Sequence, residues 1–234
     1  MQASEDGNTY GMFSNIKKLD SKTVDKYVQT ALESNEIQKL IQTLNEKGYE
    51  LNQADAQGLS TTVKDTYYEA VALPFASTDN SEVTLVAVIK DNKIVKVQAT
   101  VLHRDKDLFP TSVDVLTVNG NNVETESATT DSIVGVGAKT KIASIVSIAS
   151  TSPISHLDQA ISSSSSCSAC KLLYDVACNV GCGVGMATIC AIAGLTTGIG
   201  GVACTVVAGL VCYAIDLYGC DYGGQAACVI IGYC

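Results

Sequence analysis

All ten cysteines of this 234-residue chain lie between Cys167 and Cys234, and residues 1–166 contain none. A chain divided in this way holds two units stabilised by different chemistry. The ladder reads Cys167-x2-Cys170-x7-Cys178-x3-Cys182-x7-Cys190-x13-Cys204-x7-Cys212-x7-Cys220-x7-Cys228-x5-Cys234. Ten cysteines confined to residues 167–234 have the density of a disulfide scaffold. A segment that short buries a small fraction of its surface and needs staples. Each bridge adds roughly 2–4 kcal/mol by restricting the unfolded chain. Several bridges together exceed the net stability of a small domain, and Cys234 ties down an end that otherwise frays. Five disulfides are therefore expected, with about 945 possible pairings that spacing does not resolve.

Two other uses of the cysteines fit less well. Cys167-x-x-Cys170 with Cys178-x-x-x-Cys182 has zinc-like spacing, but residues 167–234 contain no histidine and six further cysteines stand outside the set. Cys167-x-x-Cys170 alone resembles a redox pair, but no βαβ pattern surrounds it. No metal and no cofactor are expected.

Charge divides the chain at the same place. Residues 167–234 carry Lys171, Asp175, Asp216 and Asp221, a net −2, whereas residues 1–166 carry 14 basic and 21 acidic side chains. A total of −9 without a basic stripe argues against nucleic acid as a partner. The whole stretch Val176–Ile215 lacks a charged side chain. The tail reads as short helices, with Cys178 and Cys182 on one helix face and a break at Gly194–Gly201. Gly181-x-x-x-Gly185 and Gly194-x-x-x-Gly198 have the spacing for close helix approach. They are not a phosphate loop, because the Gly-Lys-Ser/Thr ending is missing.

The N-terminal part has another grammar. Residues 1–18 are polar and read as loose. Asp20 or Ser21 caps a helix running to about Lys47, with Val24, Tyr27, Val28, Ala31, Leu32, Leu40, Ile41 and Leu44 at three-to-four spacing and Gly48 at its end. Thr62–Leu73 alternates as one strand. Glu82–Lys90 and Lys93–His103 flank an Asp91-Asn92 turn, and Ser112–Val118 and Asn122–Ser127 flank Asn119-Gly120-Asn121. From about Ala128 the pattern dissolves into Ser, Thr, Ala and Gly. It ends in Ser162, Ser163, Ser164, Ser165 and Ser166, an exposed polar run where a processing protease enters most easily.

The fold class expected is two units: an N-terminal α+β unit (helix plus antiparallel sheet) over residues 1–127, and a small all-α disulfide-rich bundle over residues 167–234. A Ser-rich flexible linker with a processing site, residues 128–166, joins them.

The run Cys-Ser-Ala-Cys-Lys at 167–171, the ten-cysteine order, the Gly-rich apolar centre at 181–201, Asp216 and Tyr218 before Gly219-Cys220, and the closing Gly232-Tyr-Cys234 are similar to the halocin C8 family. The similarity covers about residues 164–234. Members are secreted peptide antibiotics cut from the C-terminus of a longer precursor, and the N-terminal piece can give the producer immunity by binding the peptide. The resemblance implies a bacteriocin precursor whose partners are the target-cell membrane or envelope, its own N-terminal domain and a processing protease. The implied location is extracellular. Stable disulfides need an oxidising compartment, yet Met1-Gln-Ala-Ser-Glu-Asp-Gly shows no signal-peptide pattern, so a trimmed leader is expected.

A second class of function is a membrane-anchored structural protein, since Val176–Gly194 and Thr197–Ile215 approach the length of a spanning hairpin. An enzyme is not expected. His103 ends a strand and His156 sits in the linker, neither with a patterned Ser, Cys or carboxylate partner, and cysteines consumed as bridges leave no thiolate nucleophile.

Overall fold

The computed structural model describes residues 13–107, 110–129, 182 and 204–219, and its centre is one antiparallel sheet. The strands are β1 (Phe13–Lys18), β2 (Glu50–Leu51), β3 (Gln57–Val63), β4 (Thr66–Ala76), β5 (Glu82–Lys90), β6 (Lys93–Arg104), β7 (Pro110–Asn119) and β8 (Asn122–Thr129). The spatial order is β1-β3-β4-β5-β6-β7-β8, and β2 pairs with the far end of β4 at Phe75 and Ala76. The helices are α1 (Ser21–Leu32), α2 (Asn35–Glu46) and α3 (Cys204–Tyr218).

Local chemistry accounts for each helix on the first face of the sheet. Asp20 caps α1, its carboxylate accepting from the Thr23 amide at 2.9 Å and from the Thr23 hydroxyl. Those bonds hold the Asp20 carboxyl below the usual carboxylate range. In α1, Val24, Tyr27, Val28 and Ala31 form one buried stripe, and in α2, Ile37, Leu40, Ile41 and Leu44 repeat it. The stripes meet Val71, Leu73 and Phe75 of β4, Val83, Leu85, Ala87 and Ile89 of β5, and Val97, Ala99 and Val101 of β6. Lys26 donates to Asn92 in the β5–β6 turn, and Lys39 donates to the Gly120 carbonyl in the β7–β8 turn, so each helix is tied to a hairpin tip.

Several expectations are corrected. The fold-class expectation of an α+β unit followed by an all-α bundle does not hold. The described residues are mostly an eight-stranded antiparallel sheet packed with the helices α1, α2 and α3, and no helical bundle is present among them. The single helix expected from Asp20 to Lys47 is two, because the chain turns extended at Ser34 and α2 begins anew. Gly48, at φ +89°, does stop α2. The single strand expected at Thr62–Leu73 is a hairpin, since Lys64 and Asp65 both take positive φ and reverse the chain. Phe13–Lys18 is not loose but pairs with β3.

The covering of the sheet also differs from a one-sided meander. Every residue from Val83 to Ile89 of β5 is buried, so both faces of this strand are dry. The helices α1 and α2 cover the odd-numbered side chains there. The even-numbered ones belong to the second face, where α3 lies against β3, β4, β5 and β6.

Candidate functional site: the second face of the sheet

Cross-strand register assembles this face. Tyr68, Ala70 and Ala72 of β4 stand beside Thr61 and Leu59 of β3 and beside Val88 and Val86 of β5. Val86 and Val88 in turn face Gln98 and Lys96 of β6. The surface is apolar at its centre and cationic along one side, where Lys64, Lys90 and Lys96 sit.

The helix α3 matches it position by position. Gly209, Tyr213 and Asp216 fall at i, i+4 and i+7 and so share one stripe. At Gly209 a Cβ would lie 2.6 Å from Val86 Cγ1, so the missing side chain lets the helix backbone reach the sheet. The Tyr213 ring meets Tyr68 edge-on, with centroids 5.4 Å apart and planes at 69°. Asp216 accepts from Lys96 Nζ at the rim. The Lys64 ammonium stands 4.0 Å over the Tyr218 ring, and Lys90 stands 5.8 Å from the Tyr68 ring centre. Gly219, at φ +81°, ends the helix by donating to the Ile215 carbonyl at 2.7 Å.

Burial sets the electrostatics of the contact. The Tyr68 and Tyr213 phenols are both pushed above the usual tyrosine range, first by loss of water and then by the phenols beside them. The helix is buried around its whole circumference from Val206 to Cys212, the pattern of a core helix. Cys212 is fully buried and is bonded to Cys182, their Cα atoms 5.4 Å apart.

The other expected site residues are placed as follows. Cys204 opens α3. Cys167, Cys170, Cys178, Cys190, Cys220, Cys228 and Cys234 lie outside the described residues, as do Ser162, Ser163, Ser164, Ser165 and Ser166 and, apart from Cys182, the first span of the membrane hairpin. The second span is in part α3, a 15-residue helix seated on the sheet. Among the described residues no helix is long and apolar enough to cross a membrane. No group of three or more His, Cys, Asp or Glu among those residues is arranged to hold a metal ion.

One expectation about histidine is corrected. His103 does have patterned partners, because the sheet supplies them from neighbouring strands. Its Nδ1 is 3.1 Å from Ser81 Oγ, and its Nε2 is 3.1 Å from Asp114 Oδ2. Asp114 Oδ1 accepts from Ser127 Oγ at 2.6 Å. The order Ser–His–Asp is that of a proton relay, and by strand alternation His103 falls on the first face with Val97, Ala99 and Val101, not on the face that α3 covers. The row closes a polar margin of the sheet. The docking residues Tyr68, Val86 and Lys96 were likewise missed, although the unbroken apolar run Val83–Ile89 carried the signal that the second face is covered.

No protein-family model, no curated protein and no solved structure matches this chain.

Proposed function

We propose that the chain is the precursor of a secreted, halocin C8-like antimicrobial peptide, held on the N-terminal sheet until it is cut free and then acting on the envelope of competing cells. The observation that carries this reading is the seating of α3 on the second face. The Gly209–Val86 contact, the Tyr213–Tyr68 pair and the all-round burial of Val206–Cys212 keep the apolar helix α3 away from water and from lipid. Apolar surface is worth roughly 25 cal/mol per Å² when removed from water, so a few hundred Å² uncovered by release would suffice to bind a bilayer. With a net charge of −2, the segment would bind without attraction to anionic lipid.

The N-terminal unit acts as a mask in this reading, and as an immunity factor if it binds the peptide again after release. The test replaces Ser162–Ser166 with a specific protease site and compares growth inhibition by intact and cleaved chain, with intact mass measured in parallel. The intact chain should be inert and the released segment inhibitory. Equal activity of both, or of neither, would remove the masking role. For immunity, residues 1–129 are expressed in a sensitive strain, and undiminished killing would exclude it.

A further inference from the structure

We infer that the second face of the sheet is also a template for disulfide pairing, fixing which cysteine Cys212 can meet. This goes beyond the proposed function, because it holds whether or not the segment is later released.

Ten cysteines offer Cys212 nine partners, and helix spacing alone does not choose among them. Docking does. Gly209 on Val86, Tyr213 on Tyr68 and Asp216 on Lys96 fix α3 in rotation and along its axis, since the three contacts fall on one stripe and span two turns. Cys212 is three residues beyond Gly209, which sets it on the flank of that stripe. There it is fully buried and bonded to Cys182, which itself is partly exposed. A thiol at that position is closed to soluble oxidants and to cysteines approaching from solvent. Thiol–disulfide exchange needs a thiolate to reach the sulfur it attacks, so burial removes the competing routes. Residues 1–166 have no cysteine, so the template cannot become cross-linked to its product. The exchange balances: the partly exposed Cys182 thiolate breaks the S–S bond of oxidised glutathione and releases one glutathione, and the Cys212 thiolate then displaces the second. The two protons lost from the protein thiols leave on the two reduced glutathiones.

The test reoxidises the full chain from the reduced, unfolded state in a glutathione buffer and maps bridges by mass spectrometry of unreduced digests. Two variants weaken the seat from opposite sides: Val86→Phe, which leaves the tail sequence untouched, and Gly209→Ala, which leaves the sheet untouched. A third, Val86→Ala with Gly209→Ala, reopens the space. In the natural chain Cys182–Cys212 should dominate the bridges to Cys212. In each single variant its ratio to all other Cys212 bridges should fall roughly tenfold, the change that about 1.4 kcal/mol of overpacking produces. The double variant should recover it. Circular dichroism of the sheet accompanies each sample. An unchanged Cys182–Cys212 ratio in both single variants would overturn the inference, as would loss in the single variants without recovery in the double.

Discussion

Tyr68 and Tyr213 make the seat of α3 sensitive to alkali. Both phenols are shifted upward by burial, so the docked helix favours their protonated form. A group raised in the folded state contributes stability that is complete below its unfolded value, about 10 for tyrosine, and is lost as pH rises through the folded value. Docking should therefore be constant from neutral pH to about 10 and weaken above it. Tyrosinate absorbance followed alongside near-ultraviolet dichroism should show these phenols ionising together with the loss of ring packing. The variant carrying Tyr68→Phe and Tyr213→Phe should keep its packing at alkaline pH, and equal alkaline loss in that variant would place the sensitivity elsewhere. Thr205, one turn before Gly209, holds a different liability. Its hydroxyl oxygen is buried without a hydrogen-bond partner among the described residues. Removing an unpaired buried hydroxyl while keeping the shape is favourable, so Thr205→Val should raise stability by about 1 kcal/mol in a denaturant titration. A loss of that size would show that the hydroxyl is bonded.

At the scale of elements, the β3–β4 hairpin is governed by its two-residue turn. Lys64 and Asp65 sit at φ +43° and +67°, conformations that cost an L side chain and that glycine adopts freely. Asp65→Gly relieves the second of these and gives up some unfolded-state entropy, so the net gain should be about 0.5 kcal/mol in the midpoint of thermal or denaturant unfolding. A destabilisation would mean that the Asp65 side chain supports the turn. The same turn explains why some hairpins are legible in the sequence and this one is not. Asp91-Asn92 and Gly120-Asn121 carry the residues such turns prefer, and those hairpins were legible from spacing. Lys64-Asp65 carries no glycine or asparagine, and alternation continues across it, so two strands read as one. Helix periodicity was legible in α1 and α2 because each has a four-residue apolar stripe, but Ser34 interrupts the phase with one extended residue that no period count detects. The layer against the second face was the least legible part. Its partner lies more than a hundred residues downstream, and an apolar helix bearing cysteines reads equally as a bundle helix. Of the candidate site, the cysteines were evident, whereas Tyr68, Val86 and Lys96 gain meaning only once register places them on one face.

For the molecule as a whole, the placement of the cysteines decides what would hold the two parts together after a cut in the serine run. No disulfide can join residues 1–166 to residues 167–234, since the former have none. A chain cut in the serine run is therefore held together by docking alone, and release asks for undocking rather than reduction. The docked surface is α3, buried from Val206 to Cys212, against β3, β4, β5 and β6, and among the described residues its ion pair is Lys96–Asp216, whose carboxylate is 53% exposed. An exposed pair of this kind contributes at most about 1 kcal/mol and is screened by salt. The apolar part is not screened. The cut chain should thus stay a single species on size exclusion in salt of about 1 M, where screening acts within about 3 Å. Vesicles of phosphatidylcholine, whose headgroup has no net charge, compete for the same apolar surface and should draw the cysteine-rich segment away without any reductant. Co-sedimentation with vesicles, followed by unreduced electrophoresis of pellet and supernatant, separates the outcomes. Dissociation by salt would show that charge holds the segment on the sheet. A cut chain that resists vesicles but yields to reductant would mean that the disulfide framework locks the segment in its seat.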